Sequence, residues 1–120
     1  MSIKERGALT EPMFYVLMAF SQGELCGVEI TQAVQARTGG RVTLGPGTLY
    51  TLLGKFMEEK LIEETEVQGR KRTYRITDKG LSVYREEVER LRTCLADAVD
   101  AERGILRTPA VMGAPALVTP

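Results

Sequence analysis

The chain contains no histidine. Histidine triads, histidine general bases and the usual zinc-hydrolase motifs are thereby excluded. Tryptophan is absent too, and the two cysteines, Cys26 and Cys94, lie too far apart to form a metal or redox motif. Both fall among apolar neighbours, which predicts ordinary core thiols. Glycine-rich phosphate loops of the Gly-x-x-x-x-Gly-Lys and Gly-x-Gly-x-x-Gly types are missing. No catalytic residue, metal site or cofactor is expected, and the chain reads as a non-enzyme. The longest apolar run, Met13 to Phe20, falls far short of the ~20 residues that a membrane-spanning helix needs. No apolar segment follows the charged opening Ile3-Lys4-Glu5-Arg6, so neither a secretion signal nor a membrane partner is expected, and the expected location is cytoplasmic.

Net charge is also lacking, since 16 basic residues balance 16 acidic ones. The distribution is less even. Residues 66–75 hold Arg70, Lys71, Arg72 and Arg75 against the single acid Glu66, whereas residues 81–103 are net acidic. A basic segment on a neutral chain is compatible with a localised phosphate-binding surface.

What is present is a periodic pattern in 120 residues, enough for one domain and an appended element. Thr10-Glu11-Pro12 opens a helix that is apolar on every face from Met13 to Phe20, which predicts burial from several sides. A second helix is expected from about Gly27 to Arg37, with Val28, Ile30, Ala33 and Val34 inward, ended by Thr38-Gly39-Gly40. A third, from about Pro46 to Glu59, buries Leu49, Leu52, Leu53 and Phe56. Ile62–Val67 and Arg72–Ile76 then read as two strands around the turn Gln68-Gly69-Arg70-Lys71. Three helices followed by a two-stranded ribbon is the winged-helix order.

Thr77-Asp78 caps a fourth helix, which continues to roughly Arg103. Leu81, Tyr84, Val88, Leu91, Leu95 and Ala98 recur at alternating spacings of 3 and 4, a heptad seam. A small domain with its own core to bury leaves such a seam for a second copy of the chain. The fold class is therefore mainly α with a small sheet (α+β): a winged helix-turn-helix domain over residues 1–77, a dimerisation helix over 78–104 and a disordered tail over 105–120. Three prolines and a glycine after Arg107 motivate the tail. The expected partners are double-stranded DNA and a second copy of the chain.

In a helix-turn-helix reader the second helix of the pair enters the major groove, its first residues meeting bases and phosphates. Here it begins Gly45-Pro46-Gly47-Thr48-Leu49-Tyr50. Gly47 allows close backbone approach, Thr48 and Tyr50 offer hydroxyls, and Thr51 shares the outward side with Lys55, which suits backbone charge. Arg70, Lys71 and Arg72 at the hairpin tip supply long cations for a neighbouring groove. The neutral net charge and the acidic stretch Glu63-Glu64-Thr65-Glu66 keep a second reading open: a winged-helix protein-interaction module that does not read DNA.

Leu44-Gly45-Pro46-Gly47-Thr48-Leu49-Tyr50, with Leu53, Glu58-Glu59 and Leu61-Ile62, resembles the recognition-helix motif of the PadR family of transcriptional regulators. Leu9-Thr10-Glu11-Pro12 and Gly69 through Thr77 are similar to that family's opening and wing. The resemblance extends from residue 9 to about residue 100 and points to the smaller subgroup, with a single C-terminal helix. It implies a homodimer joined through that helix, repression at a two-fold symmetric operator, and release by a small effector or another signal.

Three positions depart from the family pattern. Val28 stands where tyrosine is usual, Gly54 where a basic residue is usual, and Lys60 where a helix-ending glycine is common. Some members hold flat aromatic compounds against a tryptophan between the two chains. With no tryptophan here, that chemistry does not transfer; Tyr84 or Met18 would line a different cavity, and any small-molecule effector stays unidentified.

Overall fold

A computed structural model describes Ile3 and residues 7–105. The expected disordered tail lies, from residue 106 onward, outside the described residues. The chain divides into two compact units, Met1–Val88 and Glu89–Pro120.

In the first unit, helix α1 spans Glu11–Phe20, with the Thr10 hydroxyl accepting the Met13 N–H at 3.3 Å. Met13, Val16, Leu17 and Phe20 are buried and the intervening residues mostly half-buried, as an all-apolar helix requires. A short strand β1, Leu25–Cys26, leads directly into α2, Gly27–Thr38. Gly39 ends α2 at φ +61, and the Gly40 N–H returns to the Gln35 carbonyl at 2.9 Å. Val42 and Leu44 are buried in the connector to α3, Pro46–Glu58.

Strands β2, Ile62–Gln68, and β3, Lys71–Ile76, form the hairpin. The sheet is antiparallel in the order β1-β3-β2, with Leu25 opposite Tyr74 and Cys26 opposite Thr73. The ribbon is thus three-stranded, not two-stranded as the sequence suggested. Two residues carry no alternation by which β1 could have been read.

Helix α4 runs Asp78–Glu102. The Thr77 hydroxyl caps it, accepting the Gly80 N–H at 3.0 Å while donating to the Lys60 carbonyl at 2.7 Å. Val83 joins the core of α1, α2, α3 and the sheet, whose largest enclosed side chains are Phe20 and Phe56.

Two packing expectations are corrected. Val28 is 67% exposed rather than inward, because the α2 face that meets the core is set by Ile30 and Val34. Two residues before Ile30 is more than half a helical turn away. Cys26 is buried, but Cys94 is exposed, since the α4 residues around it are exposed as well. Among the α4 seam residues, Leu81, Tyr84 and Val88 are half-buried; Tyr84 stacks on Phe14 with ring centroids 5.6 Å apart. Gly80, Val83 and Glu87 are the buried set in this helix.

In the second unit the helix carries Leu91, Leu95 and Ala98 exposed, and Gly104 ends it at φ +75. No helix among the described residues is long and apolar enough to cross a membrane.

Candidate nucleic-acid interface

The start of α3 is chemically unlike the other helix starts. Helices α1, α2 and α4 carry Glu11, Glu29 and Asp78 in their first turns; α3 carries no acid there. Its N-cap is Gly45, at φ −72 and ψ 159, and no side chain caps it. Pro46 lacks an N–H, so the open donors of this first turn are the backbone amides of Gly47 and Thr48. Gly45, Pro46, Gly47 and Thr48 are all exposed. Those amides and the positive helix end face solvent, with no side-chain cap among the described residues, an arrangement suited to a phosphate oxygen.

The amphipathic register of α3 fixes what the rest of the helix presents. Burial of Leu49, Leu52, Leu53 and Phe56 turns Thr48, Tyr50, Thr51 and Gly54 outward. Tyr50 is 62% exposed, and its hydroxyl lies beside Gly27, 3.6 Å from where that residue's Cβ would stand. A methyl group at position 27 would be in ordinary van der Waals contact with Tyr50 and Leu49. Lys55 is withdrawn from this surface: it is half-buried, with Nζ 3.5 Å from Glu59 Oε2. Glu59 also accepts the Ile3 N–H through Oε1 at 2.8 Å.

The hairpin supplies the second element. Gly69 adopts φ +62 while Arg70 does not take a positive φ, as a two-residue turn with glycine first requires. Arg70 and Lys71 are exposed at this tip, and among the described residues no ion pair engages either. Arg72 is engaged: Nη1 lies 2.8 Å from Glu64 Oε2, and that hydrogen bond and charge push its guanidinium pKa further up. Arg75 is held likewise by Glu63 at 2.7 Å.

The first turn of α2 borders both elements, which the sequence reading did not anticipate. The Tyr50 hydroxyl lies 3.6 Å from where a Gly27 Cβ would stand, and Lys71 at the hairpin adds the smallest part to a lowering of the Glu29 pKa that is due chiefly to Cys26. The larger cause there is the Cys26 N–H, which donates to Glu29 Oε1 at 2.9 Å. Val28, exposed in this turn, is the unread member of the surface. Its departure from the family pattern was the available signal; apolar character argued the other way.

Of the sequence-derived DNA set, the structure brings out Gly47, Thr48, Tyr50 and Thr51 on one helix face and Arg70 and Lys71 at the hairpin tip. Lys55 and Arg72 are exposed only in part of their reach, each tied to a glutamate of the same domain.

The profile of the Transcriptional regulator PadR-like family matches residues 16–86, a span that includes α2, α3, the hairpin and the start of α4. The transcriptional regulator YqjI of Escherichia coli K12 is 32% identical over 77 residues, 62% of this chain and 37% of that protein. A 37.1 kDa protein of transposon TN4556 in Streptomyces fradiae is 35% identical over 72 residues, 60% of this chain and 20% of that one. The chain thus spans well under half the length of these relatives. Among solved structures, a PadR-like transcriptional regulator from Bacillus cereus superposes with a TM-score of 0.63 at 27% identity, covering 74% of this chain and 88% of its own.

Proposed function

The chain belongs to the PadR-like family of transcriptional regulators, and from that premise we propose that it is a DNA-binding repressor acting as a homodimer on a two-fold symmetric operator. The observation that carries the reading is the uncapped, acid-free start of α3 together with a hairpin tip whose cations Arg70 and Lys71 are in no ion pair among the described residues. In this reading α3 enters the major groove, with Thr48, Tyr50 and Thr51 toward base edges and the Gly47 and Thr48 amides on a phosphate. The hairpin grips the flanking backbone.

The homodimer draws support from the far part of α4. Leu91 is 38% exposed and Leu95 66%, four residues apart on a helix of 25 residues. Large apolar side chains at that spacing are the seam of a helix pair. Helix-turn-helix dimers read half-sites about 34 Å apart, one turn of duplex, and that is the spacing expected of the operator.

The rival reading, a module that binds protein instead of DNA, leaned on the acidic stretch of β2. Glu63 and Glu64 are ion-paired to Arg75 and Arg72 across the hairpin, and Glu66 accepts from Gln68 at 2.6 Å. Two of the three carboxylates of that strand are therefore neutralised within the hairpin, which leaves Glu66 as its one charge without an arginine partner among the described residues.

Selection from random duplexes, followed by gel shift on the selected site, tests the proposal. The wild type should retain a palindromic site, and the Arg70→Ala, Lys71→Ala double variant should bind every duplex more weakly with a shallower salt slope. Failure to retain any duplex in dilute buffer sinks it. Leu95→Glu should halve the solution mass; an unchanged dimer mass would remove α4 from the assembly.

A further inference from the structure

We propose that an apolar pocket between α1 and α2 binds a short branched aliphatic carboxylate. The pocket is about 110 Å³ and opens to the surface, walled by Tyr15, Met18, Leu25, Ala33 and Val34, with Arg37 among its lining residues. It exists because Ala33 faces α1 with a small side chain, where a larger aliphatic residue would close the gap between the helices.

Size and charge select the occupant. An apolar cavity of ~150 Å³ accommodates a benzene ring. This pocket is smaller, so it favours a branched chain of roughly four carbons over a ring. Arg37 supplies the polar end. Among the described residues no ion pair occupies its guanidinium, in contrast to Arg41, which is held by both Glu11 and Tyr15. Arg37 lines an otherwise largely apolar slot, and a guanidinium brought to its rim would match a carboxylate on an apolar stem, by the forked geometry of its donors.

The pocket wall also leads to α3. The Tyr15 hydroxyl accepts from Arg41 Nη2 at 2.9 Å, Arg41 Nη1 reaches Glu11 Oε2 at 3.1 Å, and the Val42 N–H is held by Thr38 Oγ1 at 3.1 Å. These ties anchor the connector that delivers Gly45 to the start of α3. A ligand that displaces the Tyr15 ring loosens the Arg41 tie and with it the placement of α3. This second step rests on the DNA-binding reading above; the binding step does not.

Isovalerate titrated into the full chain, labelled on methionine methyl carbons, tests the first step without DNA. The Met18 methyl should shift saturably, with a Kd on the order of millimolar for so few heavy atoms. Arg37→Gln, a change at an exposed side chain, should weaken isovalerate about tenfold while leaving the uncharged 3-methylbutan-1-ol unaffected. Ala33→Leu should abolish both at an unchanged melting temperature. No saturable shift, equal loss of acid and alcohol in Arg37→Gln, or tighter binding of benzoate than of isovalerate overturns the site.

The second step is read by gel shift on the selected duplex. Isovalerate should lower retention by the wild type, whereas Tyr15→Phe, which lacks the hydroxyl that Arg41 donates to, should still bind isovalerate but retain duplex less well from the start and lose nothing further on its addition. Undiminished wild-type retention at saturating isovalerate overturns the coupling alone. Absence of duplex binding before isovalerate is added overturns the DNA reading and leaves the pocket to its own titration.

Discussion

Gly80 packs against Leu61 with no room for a side chain: a methyl group on its α-carbon would overlap the Leu61 carbonyl oxygen and lie 2.8 Å from Ile76 Cγ1. The same carbonyl accepts the Thr77 N–H at 2.9 Å, so it is pinned where the methyl would go. Two effects oppose each other in Gly80→Ala. Alanine gains about 1 kcal/mol of helix propensity. The clash is with backbone that cannot rotate away, and overpacking of that kind costs roughly 1–3 kcal/mol or more. The clash wins, and Gly80→Ala should lower the unfolding free energy by about 2 kcal/mol in urea denaturation. A variant as stable as the wild type would mean that α4 does not start against Leu61.

Lys60 is the reverse case. Its φ is +61, the left-handed conformation that costs an L-residue about 1–2 kcal/mol. The chain accepts this because position 60 closes α3: the Leu61 N–H returns to the Phe56 carbonyl at 2.8 Å, and the Lys60 N–H to that of Met57 at 3.0 Å. Glycine relieves the strain but gains freedom in the unfolded chain, which cancels part of the benefit. Lys60→Gly should therefore raise stability by about 0.5–1 kcal/mol, visible as a later urea midpoint at unchanged slope. An earlier midpoint would contradict the strain argument.

These two positions mark how far the sequence was legible. The recurrence of Leu49, Leu52, Leu53 and Phe56 specified α3 because its burial is one-sided, and Gly69 specified the hairpin turn because its φ is what such a turn demands. Lys60 was visible only as a departure from a family pattern; that it pays in backbone strain needed the dihedral. Val28 misled because apolar character was read as inward, although Ile30 and Val34 already fixed the buried face. The pairing of Arg72 with Glu64 was hidden because it depends on strand register. Thr65 is an extra residue in β2, so that Glu64 stands opposite Tyr74 and Glu66 opposite Thr73. No periodicity of charge along the chain encodes that shift.

Gly54 separates stability from recognition. It is exposed in the interior of α3, and a Cβ there would meet nothing within 4 Å. Gly54→Ala should stabilise the fold by about 1 kcal/mol through propensity alone. Gly54→Lys should give a similar gain and also add a cation to the face proposed for the groove. If α3 lies against duplex, the lysine variant alone should steepen the dependence of log K on log salt by about 0.9. Equal slopes for the alanine and lysine variants would place position 54 away from the phosphates.

Glu64 should act as an internal competitor for the operator. Its carboxylate holds Arg72 at 2.8 Å on a hairpin whose tip cations Arg70 and Lys71 are unpaired among the described residues. The Arg72 side chain is 58% exposed and that of Glu64 27%, so solvent screens the pair and it adds little to folding. Glu64→Gln should therefore cost little stability, while it frees a guanidinium one residue from the tip. Binding to duplex should tighten, and the salt slope should grow by about one phosphate's worth. The converse follows from the same geometry: Arg72→Ala should weaken binding less than Arg70→Ala in the wild type, and as much in the Glu64→Gln background. Fluorescence anisotropy over a salt series measures all of these. Equal effects of Arg72→Ala with and without the Glu64 carboxylate would show that the ion pair opens freely on DNA and restrains nothing.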